Sequence, residues 1–353
     1  MYAIKVYAIP ENPVQAAHSW KKTGFDWVMV GPDCVPPGRT DGNVAQPGKD
    51  AFRYFIAAIK NAGLLWSAIE PVFLAMEGDA DADLARTMEG APAVDDWVRF
   101  VCPTRDGPRR RFFERLERIL SWSPDGISFD FARFFGFWEM IGPECETGGG
   151  RSPRAGSLSA LDRIKPTCGC PSCKADQDDF FDSFEKSGAS VSRDPGLWRT
   201  EKVRSRLASA AEFARRRCPN IRIGLHTVPW TADEYGGAVA SLLGQEIETL
   251  SSLVDYLTPM AYHHMTGREP DWIARVVRDQ RERSGGLVPV VPCIQASSCY
   301  TERSLAADEF HASVMNALDS PSGGLAVYSH ETLFRQPEKI EIVASCLAGR
   351  TGP

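Results

Sequence analysis

Eight times along the 353 residues an apolar, β-prone run is followed by a helical pattern, and this alternation constrains the fold more than any other feature of the chain. The runs at residues 2–9, 25–30, 64–69, 125–130, 221–227, 255–262, 287–295 and 324–329 predict strands. Between and after them, residues 13–23, 49–61, 108–122, 195–217, 247–253, 272–283, 301–318 and 337–347 predict helices. Asp194 supplies an N-cap for the helix at 195–217, and Pro195 occupies its first turn. Strict alternation of this kind makes an α/β chain with a parallel sheet, and a count of eight favours a closed (β/α)8 TIM barrel over an open doubly wound sheet. No glycine-rich dinucleotide fingerprint follows the first run. No shift in composition marks a boundary, so residues 1–353 are expected to form a single barrel domain with an irregular, Cys-containing insertion after strand 4, at about 135–194.

In such a barrel the residues just past each strand share one face. Those positions carry Asp33, Glu70, Asp130 and Arg133, His226, Tyr262, His263 and His264, Gln295, and His330 with Glu331, a set too polar for a core. The segment from Asp125 to Phe134, DGISFDFARF, is the centre of it. Ile127, Phe129 and Phe131 alternate with Ser128, Asp130 and Ala132, so the two-residue period of a strand sends the Asp130 carboxylate toward the barrel interior. Trp138, Trp230 and Tyr328 lie near these strand ends in sequence and offer flat faces to sugar rings, although aromatic side chains in barrels serve packing as well.

A net charge of -6 provides no basic field for nucleic acid, and no apolar run approaches the ~20 residues that span a membrane. The first residues, MYAIKVYAIPEN, lack the basic segment and long apolar stretch of a signal peptide, which points to the cytoplasm. In that compartment ten cysteines are thiols or metal ligands rather than a disulfide framework. Cys168, Cys170 and Cys173 form a compact Cys-x-Cys-x-x-Cys run, a soft-metal signature. Cys145 is the expected fourth ligand of a structural zinc that pins the insertion over the barrel mouth, with Cys102 competing for that place; a disulfide and a spare thiol are the alternative.

The same strand, DGISFDFARF, resembles the Asp-Gly-Ile-x-x-Asp-Tyr-x-Arg-Phe strand of a broad group of bacterial glycoside hydrolases with barrel folds. The segment from Val254 to His263, VDYLTPMAYH, resembles their sixth-strand region, as does QEIETL from Gln245. Both are also distantly similar to glycoside hydrolase family 18, the chitinases. That resemblance places Asp130 on the family's inner Asp and Tyr262 on its Tyr. It puts Ala132 where the family has its catalytic Glu, Ser128 on an Asp, His263 on the sixth-strand Asp and Tyr328 on a Trp, so substrate-assisted chitin hydrolysis lacks its acid here.

The resemblance implies an enzyme that cleaves a glycosidic bond in an oligo- or polysaccharide without a catalytic cofactor. Asp130 is then the nucleophile or the carboxylate facing an oxocarbenium-like transition state, and Glu70 the general acid, with Glu331 and Asp33 as substitutes. Arg133, Tyr262, His226, His263, Trp138, Trp230, Gln295 and Glu331 are the expected substrate-binding residues. Two other readings use the same face. Glu70, Asp130, His226 and His263 or His330 suit a metal-dependent sugar isomerase or hydrolase, and Ala132 in the acid's place suits a catalytically silent carbohydrate-binding barrel.

Overall fold

The computed structural model describes residues 1–36, 48–143, 166–187, 192–348 and 350. Eight strands form one parallel sheet: β1 (Tyr2–Val6), β2 (Trp27–Val30), β3 (Leu65–Pro71), β4 (Gly126–Asp130), β5 (Arg222–Thr227), β6 (Tyr256–Pro259), β7 (Cys293–Gln295) and β8 (Leu325–Tyr328). They pair in the order β6-β5-β4-β3-β2-β1-β8-β7. Two parallel bridges, Leu257 with Val290 and Met260 with Cys293, bring β7 and its approach against β6 and close the ring. Eight parallel strands with helices around them are the (β/α)8 barrel expected from the alternation.

Side-chain alternation sorts the apolar residues into two cores. Ile4, Val28, Trp66, Ala68, Ile127 and Phe129 point outward and meet the helices. Ala3, Trp27, Met29, Ile69, Tyr256, Cys293 and Ala326 point inward and fill the barrel. Large rings fit that floor because glycines face them: a Cβ on Gly224 would lie 2.2 Å from the Tyr256 ring, and one on Gly126 would lie 2.9 Å from the ring of Trp27.

Helices Pro13–Thr23, Lys49–Asn61 and Pro195–Arg217 fall where the sequence predicts them. Asp194 caps the last, accepting a 2.8 Å hydrogen bond from the Gly196 N–H. Two features were not foreseen. The insertion holds a helix, Pro171–Lys186, which starts inside the cysteine run: Pro171 occupies its first turn, and the Cys170 sulfur accepts from the Cys173 N–H. The excursion after β3 folds into a two-stranded antiparallel hairpin, Val94–Asp95 with Val98–Arg99, whose two-residue turn is Asp96-Trp97. Among the described residues no helix is long and apolar enough to cross a membrane.

Candidate active site

Asp130 is the last residue of β4 and turns inward, as the strand period requires. It is buried, and one carboxylate oxygen accepts a 2.7 Å hydrogen bond from the Phe131 N–H. Around it at the carboxyl ends of the strands stand Tyr7, His226, Tyr262 and Tyr328. Trp138 stacks on Tyr262 with ring centroids 6.0 Å apart, Tyr262 leans on Tyr328 at 5.3 Å, and Tyr328 meets Tyr7 edge-on at 5.5 Å. This aromatic wall carries polar handles. The Trp138 indole N–H and Nε2 of His226 meet no hydrogen-bond partner among the described residues, although both are buried.

Two residues of this site were not anticipated. Lys5 points inward from β1 and is fully buried, with its ammonium 3.4 Å from the Tyr262 hydroxyl, which in turn lies 3.5 Å from the Cys293 sulfur. Glu139 sits in a short 3-10 turn, Trp138–Met140, just beyond β4. Burial pushes its carboxyl up to about 7; the Arg133 charge opposes that shift and the Asp130 charge adds to it. One of its oxygens is buried without a partner among the described residues. The mouth therefore holds two carboxyl groups close enough to repel each other, one of them keeping its proton to near neutrality. Burial, helped by the nearby Lys5 charge, lowers His226 to about 3, so its imidazole, 3.1 Å from the Ser128 hydroxyl, is neutral over the usual working range.

Several expected site residues lie elsewhere. Glu70 belongs to the outward-facing set of β3, with Trp66 and Ala68, and its carboxylate accepts a 2.8 Å hydrogen bond from Nε of Arg115 on the helix Asp106–Leu120. Burial raises its pKa while the Arg115 charge and hydrogen bond pull it back down. It ties a helix to the barrel. Breaking one side of a buried pair costs about 3 kcal/mol. Glu70→Gln is accordingly expected to lower the thermal midpoint measured by calorimetry, without altering how rate depends on the leaving group.

His263 follows Tyr262 onto the opposite face and hydrogen-bonds Glu309 of the helix Ala307–Asp319 at 3.1 Å. His264 shares that carboxylate at 2.7 Å, and Arg303 pairs with it too, at 2.7 Å. The three protein ligand groups His263, His264 and Glu309 come together, and the arginine already serves as their cation. His330 accepts from the Trp20 indole N–H, and Glu331 accepts from the N–H groups of Tyr7 and Ala8 at 2.6 and 2.9 Å. Asp33 is exposed. Glu70, Asp130, His226, His263 and His330 thus point into different layers and do not converge as the donor set of one catalytic metal.

Gln295 bridges loops, accepting from the Met265 N–H and donating to the Ser297 carbonyl. Arg133 is buried between Phe100 and Phe131, 5.0 and 5.3 Å from the ring centroids, and donates to the Phe134 and Gly136 carbonyls. Trp230 is buried against Tyr235. Gln295 and Arg133 thus hold the backbone around the mouth.

The cysteine cluster draws on two separate segments of the chain. Cys102, Cys168, Cys170 and Cys173 are all buried, and their sulfurs lie within 4.8 Å of one another. Cys102 is 3.4 Å from Cys173 and 3.6 Å from Cys170, near the ~3.8 Å sulfur separation of a tetrahedron with 2.3 Å zinc–sulfur bonds. Cys145 lies outside the described residues. Hydrogen bonds from the Cys168 and Cys173 thiols hold Cys102 far below the ordinary thiol range, so the cluster favours a thiolate even by itself. It joins the loop after β3 to the insertion after β4, where the Arg86 N–H also donates to the Cys168 sulfur at 3.3 Å.

The sequence matches no protein-family model and no curated protein. Solved structures of the same shape are glycoside hydrolases. The PgaB (BpsB) glycoside hydrolase domain from Bordetella bronchiseptica superposes with a TM-score of 0.71 at 12% identity, over 98% of each chain. The catalytic domain of a beta-amylase from Paenibacillus polymyxa gives 0.63 at 12% identity, over 100% of this chain and 99% of its own. A GH18 chitinase from Pseudoalteromonas aurantia gives 0.52 at 12% identity, over 98% and 99%. The likeness is one of fold.

Proposed function

We propose that the protein is a glycoside hydrolase that cleaves an oligo- or polysaccharide with Asp130 and Glu139. The observation that carries this reading is a second carboxyl group in the aromatic-walled mouth that holds Asp130: burial lets Glu139 keep a proton up to about 7. Glycosidic cleavage needs such a pair, one group to protonate the departing oxygen and the other to act on the anomeric carbon or its water. Glu139 takes the acid role that the sequence assigned to Glu70. Asp130 faces the positive charge that develops on the sugar ring, and Tyr7, Trp138, His226 and Tyr262 hold the ring and its hydroxyls.

We also propose a structural metal. Cys102, Cys168, Cys170 and Cys173 hold one zinc as a closed four-thiolate site that fixes the two loops and takes no part in catalysis. A panel of aryl glycosides of different sugars and both anomers, incubated with the native chain, tests the activity. Release of the phenol from at least one is expected. No turnover of any glycoside, by protein shown to bind sugars, favours a carbohydrate-binding barrel in which Ala132 marks the loss of an acid.

A further inference from the structure

Most large aromatic side chains around the mouth are buried, but Trp97 and Tyr300 are 49% and 40% exposed. They come from distant parts of the chain, the turn of the hairpin after β3 and the loop after β7, and are joined by a 2.6 Å hydrogen bond from the Trp97 indole N–H to the Tyr300 hydroxyl. Trp97 meets Phe131 and Phe137 edge-on, at 6.1 Å in each case, and Tyr300 meets Phe137 at 5.4 Å. Phe131 directly follows Asp130, and Phe137 precedes Glu139 by two residues. The two exposed rings therefore rest on the segments that carry both carboxyl groups.

Their backbone is held in costly conformations. Five non-glycine residues are described with positive φ, and three of them, Asp96 at 52°, Phe131 at 48° and Tyr300 at 57°, belong to this patch. Asp tolerates the left-handed region, but for an aromatic residue it is an outlier of order 1–3 kcal/mol, and such strain gathers where a side chain must be aimed. Tyr300 rests on Phe137, which leads into the turn that carries Glu139, so its ring lies on the acid's side of the mouth.

Resting on the hydrolase reading above, we propose that Trp97 and Tyr300 form a sugar-stacking platform on the leaving-group side of the carboxyl pair, so that the substrate is a saccharide of at least two rings. An exposed indole fixed at its edge offers a flat apolar surface to the C–H face of a pyranose. The nearby Asp96, at the turn beside Trp97, accepts from hydroxyl groups and disfavours anionic sugars. A protein partner is the competing occupant.

The test uses the full chain carrying Asp130→Asn, which binds without turnover. It is titrated calorimetrically with chitotetraose, cellotetraose, maltotetraose and β-1,4-galactotetraose. At least one binds, and adding Trp97→Ala weakens it roughly tenfold, the scale expected for one lost aromatic contact, while Trp97→Phe weakens it less. Circular dichroism verifies that each variant is folded. Affinity within twofold after Trp97→Ala, or no binding by any of the four, overturns the platform. Turnover of aryl glycosides with Trp97-independent tetrasaccharide binding removes the platform alone, and Trp97-dependent binding without hydrolysis of any glycoside keeps the platform and removes the hydrolase.

Discussion

Asp130→Asn is expected to leave a folded barrel whose glycoside hydrolysis has fallen by at least about a thousandfold, which corresponds to ~4 kcal/mol of lost transition-state stabilisation. The substitution keeps the shape of the side chain and an oxygen that still accepts from the Phe131 N–H. It removes the negative charge opposite a developing oxocarbenium ion. Structure therefore survives where chemistry does not, and the two are separated by comparing the thermal midpoint with kcat. Near-normal kcat in a folded Asp130→Asn protein would sink the assignment of this strand end.

Glu139→Gln is the companion experiment, and its signature differs. An acid acts in its protonated form, so the native rate is expected to be supported below about 7 and to fall as pH rises through that value, where Glu139 loses its proton. Gln removes that limb from the profile. The loss should be greatest for glycosides with poor leaving groups and smallest for activated phenols, which depart without protonation. An equal loss across leaving groups, with the alkaline limb intact, would move the acid elsewhere in the mouth.

The barrel was legible because its eight strands and the helices between them announce themselves locally, as the helix Pro171–Lys186 and the hairpin after β3 do not. The inward turn of Asp130 was legible too, since a period of two fixes the face once the strand is placed. The partner carboxyl was harder. Glu70 looked catalytic because it stands at a strand end, yet the same period puts it in phase with Trp66 and Ala68, against the helix layer where Arg115 waits. Applied to β3 as it was to β4, that rule separates the two acids. Glu139 also left a mark: it is the lone acid in the run FFGFWEMI, residues 134–141, and a carboxyl that folds with such neighbours is buried. Lys5 stands likewise among apolar residues in YAIKV, on the inward phase of β1. The platform could not be read in this way, because Trp97 and Tyr300 meet only through tertiary packing across 203 positions.

Spacing along the chain does not by itself identify the fourth cysteine of the cluster. Counting along the chain favours Cys145, which shares the insertion with Cys168, Cys170 and Cys173, whereas the fold carries Cys102 to them from the loop after β3. The two assignments separate in one experiment. Freshly purified native protein is expected to contain one zinc per chain by elemental analysis; Cys102→Ser should lose most of it, and Cys145→Ser should retain it. Closed zinc sites contribute folding free energy on the order of 10 kcal/mol in small peptides, where the metal is the only core. A barrel with its own hydrophobic core depends on the metal less, so Cys102→Ser should lower the melting temperature by about 5–10 °C rather than unfold the chain. The damage should be local, appearing first as proteolysis of the segments the cluster ties together, the 84–104 stretch and the start of the helix Pro171–Lys186. Because the Trp97 hairpin lies within that stretch, tetrasaccharide affinity should fall with the zinc content. Native protein with no zinc and four titratable thiols, or equal zinc loss in the two serine variants, would rule out the Cys102 assignment.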